Sequence, residues 1–149
     1  MIGLLQRVTQ ARVEVEGQTI GQIEQGLLVL LGIEKNDCEA SADNLLRRIL
    51  SYRVFEDTHG KMNLDLRHVH GELLIVPQFT LPADTRKGSR PSFTPAASPE
   101  EAKQLYSYFV TQARQQHPAV ATGQFGADMQ ITLTNDGPVT FWLQTATGN

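Results

Sequence analysis

The chain has 149 residues, a length at which one hydrophobic core suffices, so a single domain over residues 1–149 is expected. Its 13 Lys and Arg against 16 Asp and Glu give a net charge of −3, which excludes a uniformly basic nucleic-acid binder but leaves room for a local basic patch. Hydrophobic residues at 40% and charged residues at 19% match an ordinary globular domain and exclude disordered or fibrous architecture.

In residues 4–16, Ala11, Val13 and Val15 alternate with Arg12, Glu14 and Glu16, which predicts a strand. Gly17 and Gln18 turn the chain into a second strand over 19–25. A third, over 26–33, is apolar on both faces and therefore central. That apolar run contains Gly32 and is far shorter than the roughly 20 residues needed to cross a bilayer. Gln6 and Arg7 interrupt the opening before any leader-like apolar segment forms, so a cytoplasmic protein with no membrane association is expected. The single Cys38 can close no intrachain disulfide and reads as an inert thiol near a helix start.

Ala42, Leu45, Leu46, Ile49 and Arg53 recur at helical spacing, with Ser41 or Asp37 available as caps. Residues 57–60 carry turn chemistry, and 72–79 read as a strand whose Val76-Pro77 step sits where a missing N–H is tolerated. Between Leu81 and Ser98 lie Pro82, Gly88, Pro91 and Pro95 with no periodicity, a loop long enough to suggest function. Ser98-Pro99-Glu100-Glu101 then opens a second helix whose apolar face is Ala102, Leu105, Tyr106, Phe109, Val110 and Ala113. Met129, Ile131 and Leu133, and again Val139, Phe141 and Leu143, alternate with polar residues. They predict two strands joined by a hairpin turn at Asn135-Asp136-Gly137-Pro138, followed by a frayed tail over 146–149. The expected class is α/β, with mixed β-sheets packed together and two helices covering one side, in β/β/α layers.

The motifs of serine hydrolases, zinc proteases, P-loop enzymes and dinucleotide-binding enzymes are all missing from the sequence. His68-Val69-His70 sets two imidazoles on one strand face, but two ligands without a third make a weak metal site. Glu100 and Glu101 are explained by the helix macrodipole. Two stretches resist so plain a reading. The first runs from Gln78-Phe79-Thr80-Leu81 into a loop bearing Arg86, Lys87 and Arg90, where a strand end offers backbone N–H groups beside phosphate-binding cations. The second is Asn135-Asp136-Gly137-Pro138-Val139-Thr140.

Taken together, these stretches closely resemble the two signatures of the D-aminoacyl-tRNA deacylases, Ser-Gln-Phe-Thr-Leu and Asn-x-Gly-Pro-x-Thr. Gln6-Arg7-Val8, the loop from Lys87 to Phe93, and Thr140-Phe141-Trp142-Leu143-Gln144 extend the resemblance over nearly the whole chain. One departure is Pro77, where the family has Ser. The resemblance implies a homodimer that hydrolyses the ester between a D-amino acid and the terminal adenosine of tRNA, with no metal and no organic cofactor. It points to Gln78, Phe79 and Thr80 as the catalytic segment. The backbone N–H groups of Phe79 and Thr80 are the candidate oxyanion donors, and the adjacent ribose hydroxyl of the substrate would assist water. Thr80 Oγ as a nucleophile is the alternative, although no histidine base lies in its sequence context.

The resemblance further implies that a cis Gly137-Pro138 turn from the partner subunit excludes L side chains, that Arg7 braces this turn, and that glycyl-tRNA is also accepted. Arg86, Lys87 and Arg90 become candidates for acceptor-stem phosphates. Two rivals are an RNA-binding module without hydrolase activity and a metal-dependent hydrolase built on His68 and His70.

Overall fold

The computed structural model describes residues 1–146. The alternation at the start of the chain forms a 14-residue strand, β1 (Ile2–Val15), long enough to hydrogen-bond different partners along each edge. One edge is shared by two antiparallel strands, β2 (Gln18–Ile23) and β3 (Gly26–Gly32), with Val13 opposite Gly21 and Leu5 opposite Val29. Glu16 and Gly17, both at positive φ, make the tight turn between β1 and β2.

Beyond β3 the sheet is parallel: β6 (Glu72–Pro77) pairs with β3, and β7 (Val120–Thr122) pairs with β6. Parallel neighbours require crossovers, supplied by α1 (Glu39–Ser51) before β6 and α2 (Pro99–Gln116) after it. Both crossovers step the same way across the sheet, so right-handed connections set both helices on one face. A small hairpin of β4 (Phe55–Glu56) and β5 (Met62–Leu64) lies within the first crossover, its turn at the predicted 57–60. Beyond β7, β2 comes round to meet the sheet again: a Cβ added at Gly21 would lie 2.5 Å from the Thr122 carbonyl oxygen. The sheet therefore curls into a nearly closed barrel with two helices outside it, in the expected mixed α/β class.

Strand alternation divides the apolar residues between two cores. Val8, Val13, Leu28, Leu74 and Val76 fill the barrel. Leu27, Val29, Leu31, Leu73 and Ile75 point the other way, against Leu45, Leu46 and Ile49 of α1 and Phe109, Val110 and Ala113 of α2. The expectation that residues 26–33 are buried on both faces is met in this way. The α2 cap is also as predicted, with Ser98 Oγ accepting from the Glu101 N–H at 3.3 Å and Pro99 in the first turn. The α1 cap differs: Cys38 is the N-cap, and its N–H donates to Ser41 Oγ at 3.2 Å. Ser41 acts from inside the first turn rather than as the cap.

Two further sequence expectations change. The hairpin expected around Asn135 is instead one strand, β8 (Gln130–Gln144), and both of its halves pair with β1. Gln10 faces Thr134 and Gln6 faces Thr140, so residues 136–139 stand opposite Arg7 and bulge from the ladder. Because β1 is long enough to receive both apolar segments end to end, the turn residues become an outward loop rather than a reversal. His68 and His70 lie in a turn before β6, not on a strand face, and His68 Nδ1 accepts from the Asp65 N–H at 3.1 Å. The strand β7 has no counterpart in the sequence pattern, because three half-buried residues carry no periodic signal. No helix among the described residues is long and apolar enough to cross a membrane. The predicted frayed tail lies, beyond Ala146, outside the described residues.

Candidate active site

The parallel strands β3 and β6 end at the same level, and a cavity of about 660 Å³ opens at their carboxyl ends. Its walls are mostly apolar: Leu31 lies at the end of β3 and Ile33 just after it, Pro77 closes β6, Ala102 comes from the first turns of α2, and Phe125 and Met129 from the segment before β8. Pro77 therefore fills wall space where a Ser would have set a hydroxyl. The sequence gives no sign of Phe125, an isolated apolar residue in a connecting segment, and it assigns Met129 to a strand, whereas Met129 lies just before β8 and lines the cavity.

At the mouth of this cavity the chain turns sharply. The Gln78 N–H still donates to the Leu31 carbonyl at 2.8 Å, extending the sheet by one bond, and the Leu81 N–H donates back to the Gln78 carbonyl at 3.3 Å. Phe79 and Thr80 occupy the middle of this turn, and among the described residues neither backbone N–H has an acceptor. Two adjacent donors are thereby free at the edge of an apolar cavity, an arrangement suited to a developing oxyanion. Gln78 and Phe79 line the cavity, whereas Thr80 sits just beyond it, exposed. The Thr80 hydroxyl accepts a hydrogen bond from the Gln78 side-chain amide. An amide N–H can only donate, so it cannot take the hydroxyl proton, and no histidine lines the cavity.

The basic loop is organised by one ion pair. Asp84 and Ser92 exchange backbone hydrogen bonds at 2.8 and 3.0 Å, closing the loop at its base. Arg86 forks onto the Asp84 carboxylate, Nε to Oδ1 at 2.9 Å and Nη2 to Oδ2 at 2.8 Å. The guanidinium and the Arg86 N–H hold this carboxyl far below the usual carboxylate range. Arg86 is thus committed within the loop, while Lys87 and Arg90 are exposed and without ion-pair partners among the described residues.

Arg7 is buried, only 7% exposed, at the place where the β8 bulge leaves the sheet. Its Nε donates to the Asp136 carbonyl at 2.9 Å and its Nη1 to the Val54 carbonyl at 2.7 Å. The neck of the bulge is closed by Asn135, whose Oδ1 accepts from the Val139 N–H at 2.7 Å and whose Nδ2 reaches Thr140 Oγ1 at 3.0 Å. Sequence reading quoted Asn135 and Thr140 as parts of a motif without giving them this task. The Gly137-Pro138 peptide is cis, as the resemblance implies, and Gly137 has a φ of 150°, which a side chain rarely tolerates. Both residues are exposed and neither lines the cavity of its own chain. One chain thus brings Arg7 to the Gly137-Pro138 loop, and Gln78 and Phe79 to the cavity, but does not bring the two groups together. Among the described residues no three His, Cys, Asp or Glu side chains cluster as metal ligands would.

Comparisons with known proteins cover nearly the whole chain. Residues 4–144 match the sequence profile of the family described as D-Tyr-tRNA(Tyr) deacylase. A D-aminoacyl-tRNA deacylase of Ralstonia nicotianae is 60% identical, over 98% of this chain and 91% of the relative. One from a Janthinobacterium species is 62% identical over 97% of each. The solved structure described as c-Myc DNA Unwinding Element Binding Protein superposes with a TM-score of 0.94 at 39% identity, covering 99% of this chain and 100% of that one. Since the profile match runs unbroken from the strand that carries Arg7, through the turn at Phe79, to the end of the strand that carries Gly137 and Pro138, the chain belongs to the D-Tyr-tRNA(Tyr) deacylase family.

Proposed function

We propose that this enzyme hydrolyses the ester between a D-amino acid and the terminal adenosine of tRNA through backbone catalysis at the turn of Phe79 and Thr80. The chain is a deacylase and hence an ester hydrolase. The observation that carries the mechanism is the pair of free N–H groups at the cavity mouth. They receive the carbonyl oxygen as it becomes an oxyanion, while the neighbouring ribose hydroxyl assists the attacking water. Gln78 orients the Thr80 hydroxyl and helps fix the turn. No metal or organic cofactor takes part, so chelators leave the rate unchanged, whereas a hydrolase built on His68 and His70 would lose activity.

Selectivity in this reading comes from exclusion, because D and L substrates offer the same groups for attraction. The chain acts as a homodimer, and the partner's 136–138 loop enters the cavity and fills the space an L side chain needs. Glycine has no side chain to exclude, so glycyl-tRNA is accepted. Lys87 and Arg90 hold acceptor-stem phosphates, while Arg86, paired with Asp84, chiefly sets the loop. The reaction belongs in the cytoplasm, where tRNA is charged. The test is release of free amino acid from matched D-, L- and glycyl-tRNA: turnover of D and glycyl with L spared is expected. Turnover of L at the D rate would refute exclusion.

A second reading is favoured by the unpaired Lys87 and Arg90 and by a structural relative named for DNA binding: a nucleic-acid-binding module without hydrolysis. The same assay separates the two, since such a module would bind D-aminoacyl-tRNA and release nothing.

A further inference from the structure

Two aromatic rings stand in solvent beside the free N–H groups. Phe79 is 65% exposed and Phe93 44%, yet their centroids are 5.4 Å apart with planes tilted by 46°, and both line the rim of the cavity. Phe93 is not a loose loop residue. It follows the Asp84–Ser92 bridge directly, its carbonyl accepts from the Ala96 N–H at 3.0 Å, and the Ala97 N–H donates to the Ile33 carbonyl at 3.0 Å, tying the segment to the end of β3. A fixed, exposed pair of rings carries a desolvation advantage that only a partner can realise.

We propose that the Phe79–Phe93 pair is a stacking platform for the unpaired nucleobase that precedes the esterified nucleotide of the substrate. The inference rests on the deacylase reading and extends it from the reacting end to the next position. A cavity of about 660 Å³ is of the size that holds one small ligand, so the aminoacylated nucleoside fills it and the chain that follows must leave over the rim. At the rim the chain meets two flat apolar faces, and the same loop carries the unpaired Lys87 and Arg90. A strand of nucleic acid offers the complement, planar bases on a polyanionic backbone, and base–aromatic stacking with cationic support is how single strands are commonly held. Since Phe79 also supplies a free N–H, a base stacked on its ring fixes the ester relative to that donor. Phe93, through its ring alone, is a positioning residue.

The experiment compares wild type, Phe93→Ala and Phe93→Trp on D-aminoacyl-tRNA and on D-aminoacyl-adenosine, which lacks the preceding nucleotide. Phe93→Ala should raise KM on the tRNA about tenfold more than on the adenosine ester, with little change in the kcat ratio, and Phe93→Trp should restore the difference. A 2-aminopurine placed before the terminal nucleotide of uncharged tRNA should be quenched by wild type and Phe93→Trp, and not by Phe93→Ala. Equal losses on the two substrates, or no loss on either, would overturn the proposal. So would a Phe93→Ala protein that sediments as a smaller species than wild type, because the rings would then be covered by a second copy of the chain. If wild type released no amino acid from tRNA, the deacylase reading would fail, while quenching on uncharged tRNA would still decide whether the rings stack on a base.

Discussion

Thr80 holds two groups with different chemical reach, a hydroxyl bonded to an amide that cannot accept its proton and a backbone N–H with no acceptor among the described residues. Thr80→Ala removes the first and keeps the second, so deacylation of D-aminoacyl-tRNA should fall by less than about tenfold. A loss of about 100-fold or more, typical of a missing oxyanion donor, would instead implicate the hydroxyl. Phe79→Pro deletes an N–H and should cost at least that much. The cations separate in the same way. Lys87 is free and Arg86 is held by Asp84, so Lys87→Ala should weaken tRNA binding and lower the slope of log affinity against log salt by about 1. Arg86→Ala should change the salt slope less; equal slopes for the two variants would show that the Asp84 pair opens on binding.

At the scale of elements, the loop thrown out by β8 depends on its supports. Arg7 ties the Asp136 carbonyl to the Val54 carbonyl from a buried position, and Asn135 closes the neck. Arg7→Ala leaves both carbonyls without their charged donor, at a cost of about 1.5–3 kcal/mol per hydrogen bond, so thermal stability should drop. The loop then keeps its neck but loses its brace, and hydrolysis of L-aminoacyl-tRNA should rise relative to D even if the total rate falls. An unchanged D-to-L ratio would remove Arg7 from selectivity. β3 was legible as an unbroken apolar run, Leu27 to Leu31, and α1 and α2 because a 3.6-residue period reports burial directly, as at Ala42 to Ile49. The β8 bulge was not, because Asn135-Asp136-Gly137-Pro138 is equally good chemistry for a reversal and an outward loop. What decides is the length of β1, a partner far away in sequence. The strand end at Gln78 to Leu81 was legible as a place that offers backbone N–H groups, but that those of Phe79 and Thr80 lack acceptors among the described residues was not, since hydrogen bonds left unmade have no sequence pattern.

In the molecule as a whole, the two parts of the candidate site lie at opposite ends of β3, the loop beside Arg7 opposite Leu27 and the cavity beyond Leu31. The cavity lies at the carboxyl ends of β3 and β6, and the exposed 136–138 loop leaves β8, whose far side carries no strand partner among the described residues and whose Trp142 is 51% exposed. An unpaired edge with an exposed aromatic is a surface that folded proteins usually cover. A two-fold dimer would cover it and deliver each loop to the other cavity, so that every site is built from two chains. This is testable by subunit mixing. Phe79→Pro spoils the cavity and leaves the loop intact. Gly137→Val spoils the loop, because a side chain there meets Val139 in a backbone conformation that disfavours it, and leaves the cavity intact. Each homodimer should be nearly inactive on D-aminoacyl-tRNA: one lacks an oxyanion donor, and in the other each displaced loop carries a Val side chain into the space its partner's substrate needs. After equal mixing and exchange, half the dimers are mixed, and one of the two sites in each combines a sound cavity with a sound loop, so activity should return to about a quarter of wild type. Confirmed subunit exchange without recovered activity would mean that each chain completes its own site, and the loop would have to act on its own cavity through a rearrangement of β8.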